Sequence, residues 1–352
     1  IFKDMDEKFN SELFSNNECD QIKLDDDILR PVITELSNTD FSKLTVNIIG
    51  EVYENYLGEL LKSSKRGVKV VETKAGQKKK DQGIYYTPDY IVDYIVENTI
   101  GKILKKCKTK EEIEKIKILD PACGSGSFLI RVFDEFLKNY ERISPSGLFH
   151  FDVRKKILQN NLYGVDLDER AVEITKLNLL VKALEGSAHA ALSGRKILPN
   201  LKLNIRCGNS IISGEDSNVG LFDEAYSEEL DKLKKLHTEF HKSSDESKQN
   251  SIFNEIQILE YTINSKNNER LDLFFKNKDQ FKPFNYKISF PTAFETGGFN
   301  CIIGNPPYVF ARGGSFSEEE KKYYNLFTLS NYQLNTYSLF LDKSYQLLSK
   351  DG

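Results

Sequence analysis

Six residues, Gly304-Asn305-Pro306-Pro307-Tyr308-Val309, follow the apolar run Phe299-Asn300-Cys301-Ile302-Ile303. Prolines cannot donate to a strand ladder, so the buried strand predicted at Cys301 must stop here. A residue before proline is pushed to extended geometry, which leaves Asn305 little freedom. The stretch predicts a rigid loop that holds one amide and one aromatic ring in fixed positions.

A second stretch with chemical content is "ILDPACGSGSFL", between a predicted strand and the helix after it. Gly124 and Gly126 let the backbone pass close to a ligand, and a helix start offers amide donors. Two stricter phosphate-binding patterns fail. A dinucleotide fingerprint wants a third glycine where Leu129 stands, and the Gly-Lys-Ser/Thr of a P-loop is absent. Asp120 at the strand end disfavours phosphates and favours a ligand with a positive amino group. Cys123, beside the glycines, has no base partner near it in sequence and reads as packing.

A third stretch, "GVDLD", places Asp166 at a strand tip, where an acid can take both hydroxyls of a ribose. Gly126 and Asp166 are 40 residues apart, against about 20 in the dinucleotide fold. "CGNS" places Asn209 where an amide can read the edge of a nucleobase. Each lone acid or amide can also be a helix cap, and Asp168 fits that reading. Three such strand ends in one sheet together describe a pocket for an adenosine bearing a cationic amino acid, S-adenosylmethionine.

The elements that must position these residues alternate. Strands are predicted at "IKILD", "NLYGVDLD", "LKLNIRCGNS" and "FNCIIGNPPY". Helices are predicted at "SGSFLIRVFDEFLKNY", "ERAVEITKLNLLVKAL" and "TYSLFLDKSYQLLSKDG". Repeated strand–helix units imply an α/β fold with a doubly wound, mostly parallel sheet. "SPSGLFHFDVRKKILQ" reads as a loop and short helix inside the first unit. From about 223 to 290 the chain turns polar and helical. Leu230, Leu233, Leu236 and Phe240 form one stripe; Ile252, Ile256, Leu259 and Ile263 form another. This predicts an inserted helical hairpin that serves as a packing arm.

Ahead of the sheet, "DDDILRPVITEL" reads as a helix with Asp25 to Asp27 at its cap and first turn. A second helix is predicted over "LTVNIIGEVYENYLGELLKSS", with Ile48, Val52, Tyr56 and Leu60 along one face. The basic stretch from Lys62 to Lys80 reads either as a solvated loop or as a phosphate contact. "GIYYTPDYIVDYIVENTIGKIL" predicts a turn and a helix capped by Thr87, with Pro88 in its first position. Residues 1–82 thus form an N-terminal helical region and 83–352 the core.

Composition sets the outer limits. A chain of 352 residues has length for about two domains. With 39% hydrophobic and 29% charged residues it suits a soluble globular protein. A net charge of -4 excludes a surface that is basic all over. No run approaches the roughly 18 apolar residues of a membrane span, and no signal peptide is visible. Ile1 in first position suggests a fragment. Five cysteines without a CxxC pair argue against a zinc site or a disulfide framework and fit a reducing cytoplasm. His237 and His241 read as a solvated polar face, with half a metal site as the alternative.

The order "YYTP", "DPACGSGSF", "GVDLD", "CGNS", "GNPPY" resembles the amino-methyltransferases of DNA. It is most similar to the adenine-N6 class of type I and type IIG restriction–modification systems. The resemblance covers roughly Gly83 to Gly352, apart from the inserted hairpin. "FKDMDEKFNSELF" also resembles the segment before the core in large type IIG enzymes. The resemblance implies a Rossmann-like, S-adenosylmethionine-dependent methyltransferase acting on double-stranded DNA with the target adenine flipped out of the helix.

Carried onto this sequence, Thr87 and Pro88 would close over the methionine end of the cofactor. Asp120, Ala122, Gly124 and Gly126 would surround its amino and carboxylate groups. Asp166 would take the ribose, Leu167 would pack on the adenine, and Asn209 would meet the adenine amino group. Asn305 and the Pro306 carbonyl would accept the two protons of the target amino group. Tyr308 would stack on the base, and Phe340 would either lie against it or be a core aromatic. No metal site is expected. The resemblance also implies a DNA-reading domain beyond Gly352 and allows a nuclease domain before Ile1. Three other acceptors share this chemistry: cytosine N4, an RNA base, and a release-factor glutamine. A fragment that binds cofactor and DNA without catalysis is the reading from a different class.

Overall fold

The computed structural model describes residues 25–40, 48, 59–64, 67–72, 87–145, 150–185, 199–215, 226–243, 245–310, 316–331 and 334–352; for 59–64 and 67–72 it describes backbone alone. Helix α1, Asp26–Asn38, forms where the acidic start predicts it, with Pro31 inside. Strands β1, Glu59–Ser64, and β2, Gly67–Glu72, pair antiparallel. They correct the helix predicted through Leu60 and part of the loop predicted from Lys62. The β-branched Val68, Val70 and Val71 favour extended backbone, so pairing outweighs the four-residue periodicity. Val52 and Tyr56 lie outside the described residues.

Helices α2, Asp89–Asn98, α3, Ile100–Lys106, and α4, Lys110–Lys115, lead into the sheet. Thr109 and Glu112 form a reciprocal capping box that starts α4. Strand β3, Ile118–Asp120, passes into α5, Ser127–Ile143. Helix α6, His150–Lys156, returns the chain to β4, Leu162–Asp166, and α7, Glu169–Leu184, returns it to β5, Ile205–Cys207. Strand β6 is Cys301–Ile302. The sheet order is β5-β4-β3-β6 and every neighbour is parallel. The doubly wound parallel α/β class follows.

That order decides where a ligand sits. The chain moves from β3 outward through β4 to β5, then crosses to place β6 on the other side of β3. Loops leaving β3 and β6 therefore diverge at a topological switch point, where open α/β sheets bind ligands. The glycine stretch leaves β3 and the double-proline stretch leaves β6.

Burial follows from the pattern. Val92, Val96, Ile100 and Leu104 of α2 and α3 pack with Phe133 and Phe136 of α5 against Ile118. Leu119, Tyr163 and Val165 face the other side, on Phe284, Tyr286, Phe290 and Phe299. Alternate strand residues thus serve two cores, as buried parallel strands require.

Helices α8, Ser227–Lys242, and α9, Glu246–Asn267, form the predicted hairpin. Both predicted stripes meet Leu203 and Ile288 in one cluster. The segment after it does more than pack. Phe284 N–H donates to the Ile212 carbonyl at 2.9 Å and Asn209 N–H to the Lys282 carbonyl at 2.8 Å, before α10, Tyr286–Ser289. The end of the insertion thus closes against the tip of β5. Helices α11, Glu318–Tyr324, and α12, Thr336–Leu347, complete the described core. Among the described residues no helix is long and apolar enough to cross a membrane.

The histidine pair corrects the expectation of a solvated face, because His237 is buried. Its Nε2 lies 3.8 Å from a Glu260 oxygen, and Arg206 of β5 pairs with Glu260 at 2.5 Å. Burial opposes the Glu260 charge, yet Arg206 and His237 outweigh it and hold the carboxyl below its usual range. Burial likewise holds the His237 imidazole down. The hairpin is anchored to β5 by a buried ion pair, so removing one partner strands the other. Glu260→Ala should destabilise the fold by about 3–5 kcal/mol, read from urea unfolding. A loss under about 1 kcal/mol would show that water solvates the pair.

Candidate functional site

Backbone bonds join the strand tips. Cys123 N–H donates to the Val165 carbonyl at 3.0 Å, and Gly208 N–H to the Asp166 carbonyl at 2.8 Å. The Ser210 hydroxyl donates to the Pro121 carbonyl at 2.5 Å. Loops leaving β3, β4 and β5 therefore form one continuous floor.

The glycine loop needs its glycines for different reasons. Gly124 has φ 53° and Gly126 φ 90°, a region that penalises side chains. A Cβ at Gly126 would crowd Thr175 at 3.0 Å, whereas one at Gly124 would enter open space. Gly126 is thus packed from below, and Gly124 is the place where a ligand can approach the backbone. Two buried polar side chains of α7 hold the loop from beneath. Thr175 Oγ1 donates to the Gly124 carbonyl at 2.7 Å, and Asn178 Nδ2 to the Ser125 carbonyl at 2.8 Å. Sequence reasoning missed both. Polar residues three apart inside the apolar run "ITKLNLL" were the available signal.

Asp166 stands at the tip of β4 as predicted. Its Oδ2 accepts from Gly124 N–H at 2.9 Å and its Oδ1 from Asp168 N–H at 2.9 Å. Burial pushes its carboxyl up, against those two amide bonds, which favour the anion. Leu167 is exposed beside it. Asp168 caps α7 through Arg170 N–H, so its cap reading holds.

Two residues sit differently from expectation. Asp120 is 1% exposed, with Ala122 N–H donating to its Oδ1 at 3.0 Å. Its carboxyl lies directly against Gly304, where a Cβ would collide with it. Asp120 is therefore the seam between the glycine loop and the double-proline loop, sealed beneath both, and not an open partner for an ammonium. Asn209 Oδ1 accepts from Ile211 N–H at 3.0 Å and Ile212 N–H at 3.2 Å. Its oxygen is committed to its own loop, so it cannot receive an adenine amino group; only its amide nitrogen can face a base.

The seam makes stability depend on pH. Burial raises the Asp120 carboxyl to about 8, helped by the Asp166 charge and opposed by the Ala122 amide. An unfolded aspartate titrates near about 3.9. Between those values the folded chain holds a proton that the unfolded chain lacks, so stability falls as pH rises through the window. Asp120→Asn removes that dependence. Urea midpoints of the unaltered chain should decline relative to this variant between about pH 4 and pH 8; parallel curves would contradict the assignment.

The double-proline loop starts where Ile303 N–H donates to the Leu119 carbonyl at 2.9 Å. Asn305 follows, half-buried, and its Nδ2 donates to Thr87 Oγ1 at 3.0 Å. Thr87 therefore does not cap α2: Pro88 occupies the N-cap position and no side chain caps that helix. The Pro307 carbonyl accepts from the Thr336 hydroxyl, which in turn accepts from Val309 N–H at 2.9 Å. The Pro306 carbonyl has no hydrogen-bond donor among the described residues. Tyr308 is 43% exposed, and its ring is within 9° of parallel to that of Tyr337, with centroids 6.3 Å apart. Phe340 packs against the cluster around Leu271 and Tyr323, which is its core reading. Tyr337 and Thr336, missed in the sequence, follow Asn335, whose side chain caps α12.

Cys123 is buried, and burial pushes its thiol well up, which agrees with packing. Among the described residues no cluster of histidine, cysteine or carboxylate groups has metal-binding geometry.

The doubly wound sheet thus brings the glycine loop and the Asn-Pro-Pro-Tyr loop together at its switch point. Residues 160–352 match the Eco57I restriction-modification methylase model, and the chain belongs to that family. Residues 46–200 match the N-6 DNA methylase model. A Methanocaldococcus jannaschii protein named as a type II restriction enzyme and methyltransferase is 29% identical over 96% of this chain and 37% of its own length. The type II restriction enzyme and methyltransferase RM.Eco57I of Escherichia coli is 28% identical over 99% of this chain and 31% of its own. The adenine-specific methyltransferase BrxX of Escherichia coli O9:H4 is 25% identical over 47% of this chain and 15% of its own. The chain thus spans about a third of the length of the first two.

Proposed function

We propose that this chain is the catalytic part of an adenine-specific DNA methyltransferase of a restriction–modification system. It would transfer a methyl group from S-adenosylmethionine to the N6 amino group of an adenine turned out of the double helix. The observation that carries the reading is the acceptor pair at the switch point. The Asn305 nitrogen is bonded to Thr87 and the Pro307 carbonyl to Thr336, while the Pro306 carbonyl takes no donor among the described residues.

An exocyclic amino nitrogen is a poor nucleophile because its lone pair is delocalised into the ring. Asn305 Oδ1 accepts a hydrogen bond from one amino N–H and the Pro306 carbonyl one from the other. As the nitrogen gains the methyl, the sulfonium–carbon bond breaks, and one amino proton passes to solvent. Two acceptors draw charge toward the nitrogen and favour a pyramidal geometry with the lone pair directed outward. Tyr308 stacks on the base, and Tyr337 extends the aromatic surface. Such a site cannot reach a base inside a duplex, so the base must be extruded. In-line positioning then supplies most of the acceleration, about 7–11 kcal/mol at its upper range.

The residues present fit the methyl donor. Open space beside Gly124 would admit its amino-acid end, Asp166 would take the ribose, and the exposed Leu167 and the Asn209 amide nitrogen would meet the adenine. When bound, the donor supplies an electrophilic methyl group on a sulfonium. We assign recognition of a particular DNA sequence, and any cleavage, to other parts of a longer protein, because the two relatives that carry both activities in their names are about three times as long. A cytoplasmic location fits a protein that acts on cellular and invading DNA.

The test is transfer of a tritiated methyl group by the full-length protein to double-stranded DNA, RNA and a release factor in parallel. Label recovered as N6-methyladenine from DNA is expected. Label in N4-methylcytosine, RNA or glutamine would overturn the substrate assignment, and no label anywhere would favour a binding module.

A further inference from the structure

We infer that Thr87 is a positioning residue that holds the plane of the Asn305 amide toward the substrate. The inference deepens the methyl-transfer reading and rests on it for its catalytic consequence. A threonine followed by a proline at the start of a helix usually serves as its cap. Here the helix begins at Asp89 with no side-chain cap, and the Thr87 hydroxyl accepts from Asn305 Nδ2 at 3.0 Å. The two residues are 218 positions apart in the chain.

The chemistry explains why this hydroxyl matters. The terminal torsion of asparagine is broad, so the amide plane swings at little cost unless a neighbour holds it. A tilted plane would carry Oδ1 off the line to an amino substrate. The proline at 306 restrains the backbone of Asn305 but leaves this torsion open. The Thr87 hydroxyl accepts from the amide nitrogen and so holds that plane. Thr87 also rides on α2, whose Val92 and Val96 are buried in the core. Its oxygen therefore has a fixed position.

Thr87→Val keeps the shape and removes the acceptor; Thr87→Ser restores it. In the full-length protein, Thr87→Val should lower kcat for DNA methylation on the order of 10- to 100-fold, with cofactor Kd within about threefold. Thr87→Ser should recover most of the rate. An unchanged kcat in Thr87→Val would overturn the inference. So would a rise in cofactor Kd that matches the fall in kcat, because Thr87 would then be a cofactor contact. The unaltered protein is assayed alongside, and its failure to methylate DNA would sink the functional reading by itself. Independently of activity, melting temperatures of Thr87→Val, Asn305→Ala and the double variant form a cycle. The pairing predicts that the double variant loses less than the two single losses added together; simple additivity would overturn it.

Discussion

Replacing Asn305 with alanine is expected to leave cofactor binding within about twofold and to cut methyl transfer by about 100- to 1000-fold, the usual cost of removing one preorganised hydrogen-bond partner of a transition state. The expectation separates two jobs that the proposed function assigns to different loops. Asn305 belongs to the loop leaving β6, whereas Gly124, Asp166 and Asn209 belong to loops leaving β3, β4 and β5. Removing the amide takes away one acceptor for the target amino group and leaves the floor under the cofactor intact. The backbone at this position is restrained by Pro306 and the Ile303–Leu119 bond, so the variant should fold. Asn305→Asp is the informative companion. A carboxylate still accepts, and the Thr87 hydroxyl can turn to donate to it, so this variant should retain more activity than alanine. Isothermal titration with cofactor and single-turnover methylation read the two quantities. Equal losses of affinity and rate in Asn305→Ala would mean that this loop builds the cofactor pocket.

The parts of this site that could be read from sequence are those whose geometry is local. Gly124 and Gly126 predict positive φ because only glycine takes it freely, and both adopt it. A run of alternating strands and helices predicts a parallel sheet because crossovers need the intervening helix, and four parallel strands result. Asp168 predicts a cap because its partner is two residues away. What failed was decided by distant chain. Thr87 looks like a cap until a residue 218 positions away takes its hydroxyl. Asp120 looks like an open acid until Gly304 closes over it. His237 looks solvated until Arg206 and Glu260 arrive from β5 and α9. Asn209 was misread for a subtler reason, because its own loop consumes the oxygen that a base would need. Leu60 lies in a strand because pairing with Val71, a few residues on, outweighs helical periodicity. Residue type therefore locates the site, and contacts made across the sheet set which atoms remain available in it.

Asp166→Ala should produce the opposite pattern to Asn305→Ala: cofactor Kd rising by about 100-fold, with a much smaller change in the rate of transfer once cofactor saturates. Its carboxylate binds the Gly124 and Asp168 amides at 2.9 Å each, one to each oxygen. An ionised carboxylate has about four lone-pair sites, so each oxygen retains one for a ribose hydroxyl. Hydrogen bonds to a charged group contribute about 1.5–3 kcal/mol each, and losing two accounts for the expected effect even at the low end. Alanine also deprives the Gly124 amide of its acceptor, so some of the loss arises from a loosened glycine loop. Asp166→Asn divides the two contributions, since its oxygen can still accept from one loop amide while its nitrogen can only donate. An asparagine variant that binds as weakly as alanine would assign the effect to the charge facing the ribose. One that binds nearly as well as the unaltered chain would assign it to the brace on Gly124. If Asp166→Ala itself bound cofactor normally, the tip of β4 would have no part in holding the methyl donor, and the pocket would have to lie elsewhere along the switch point.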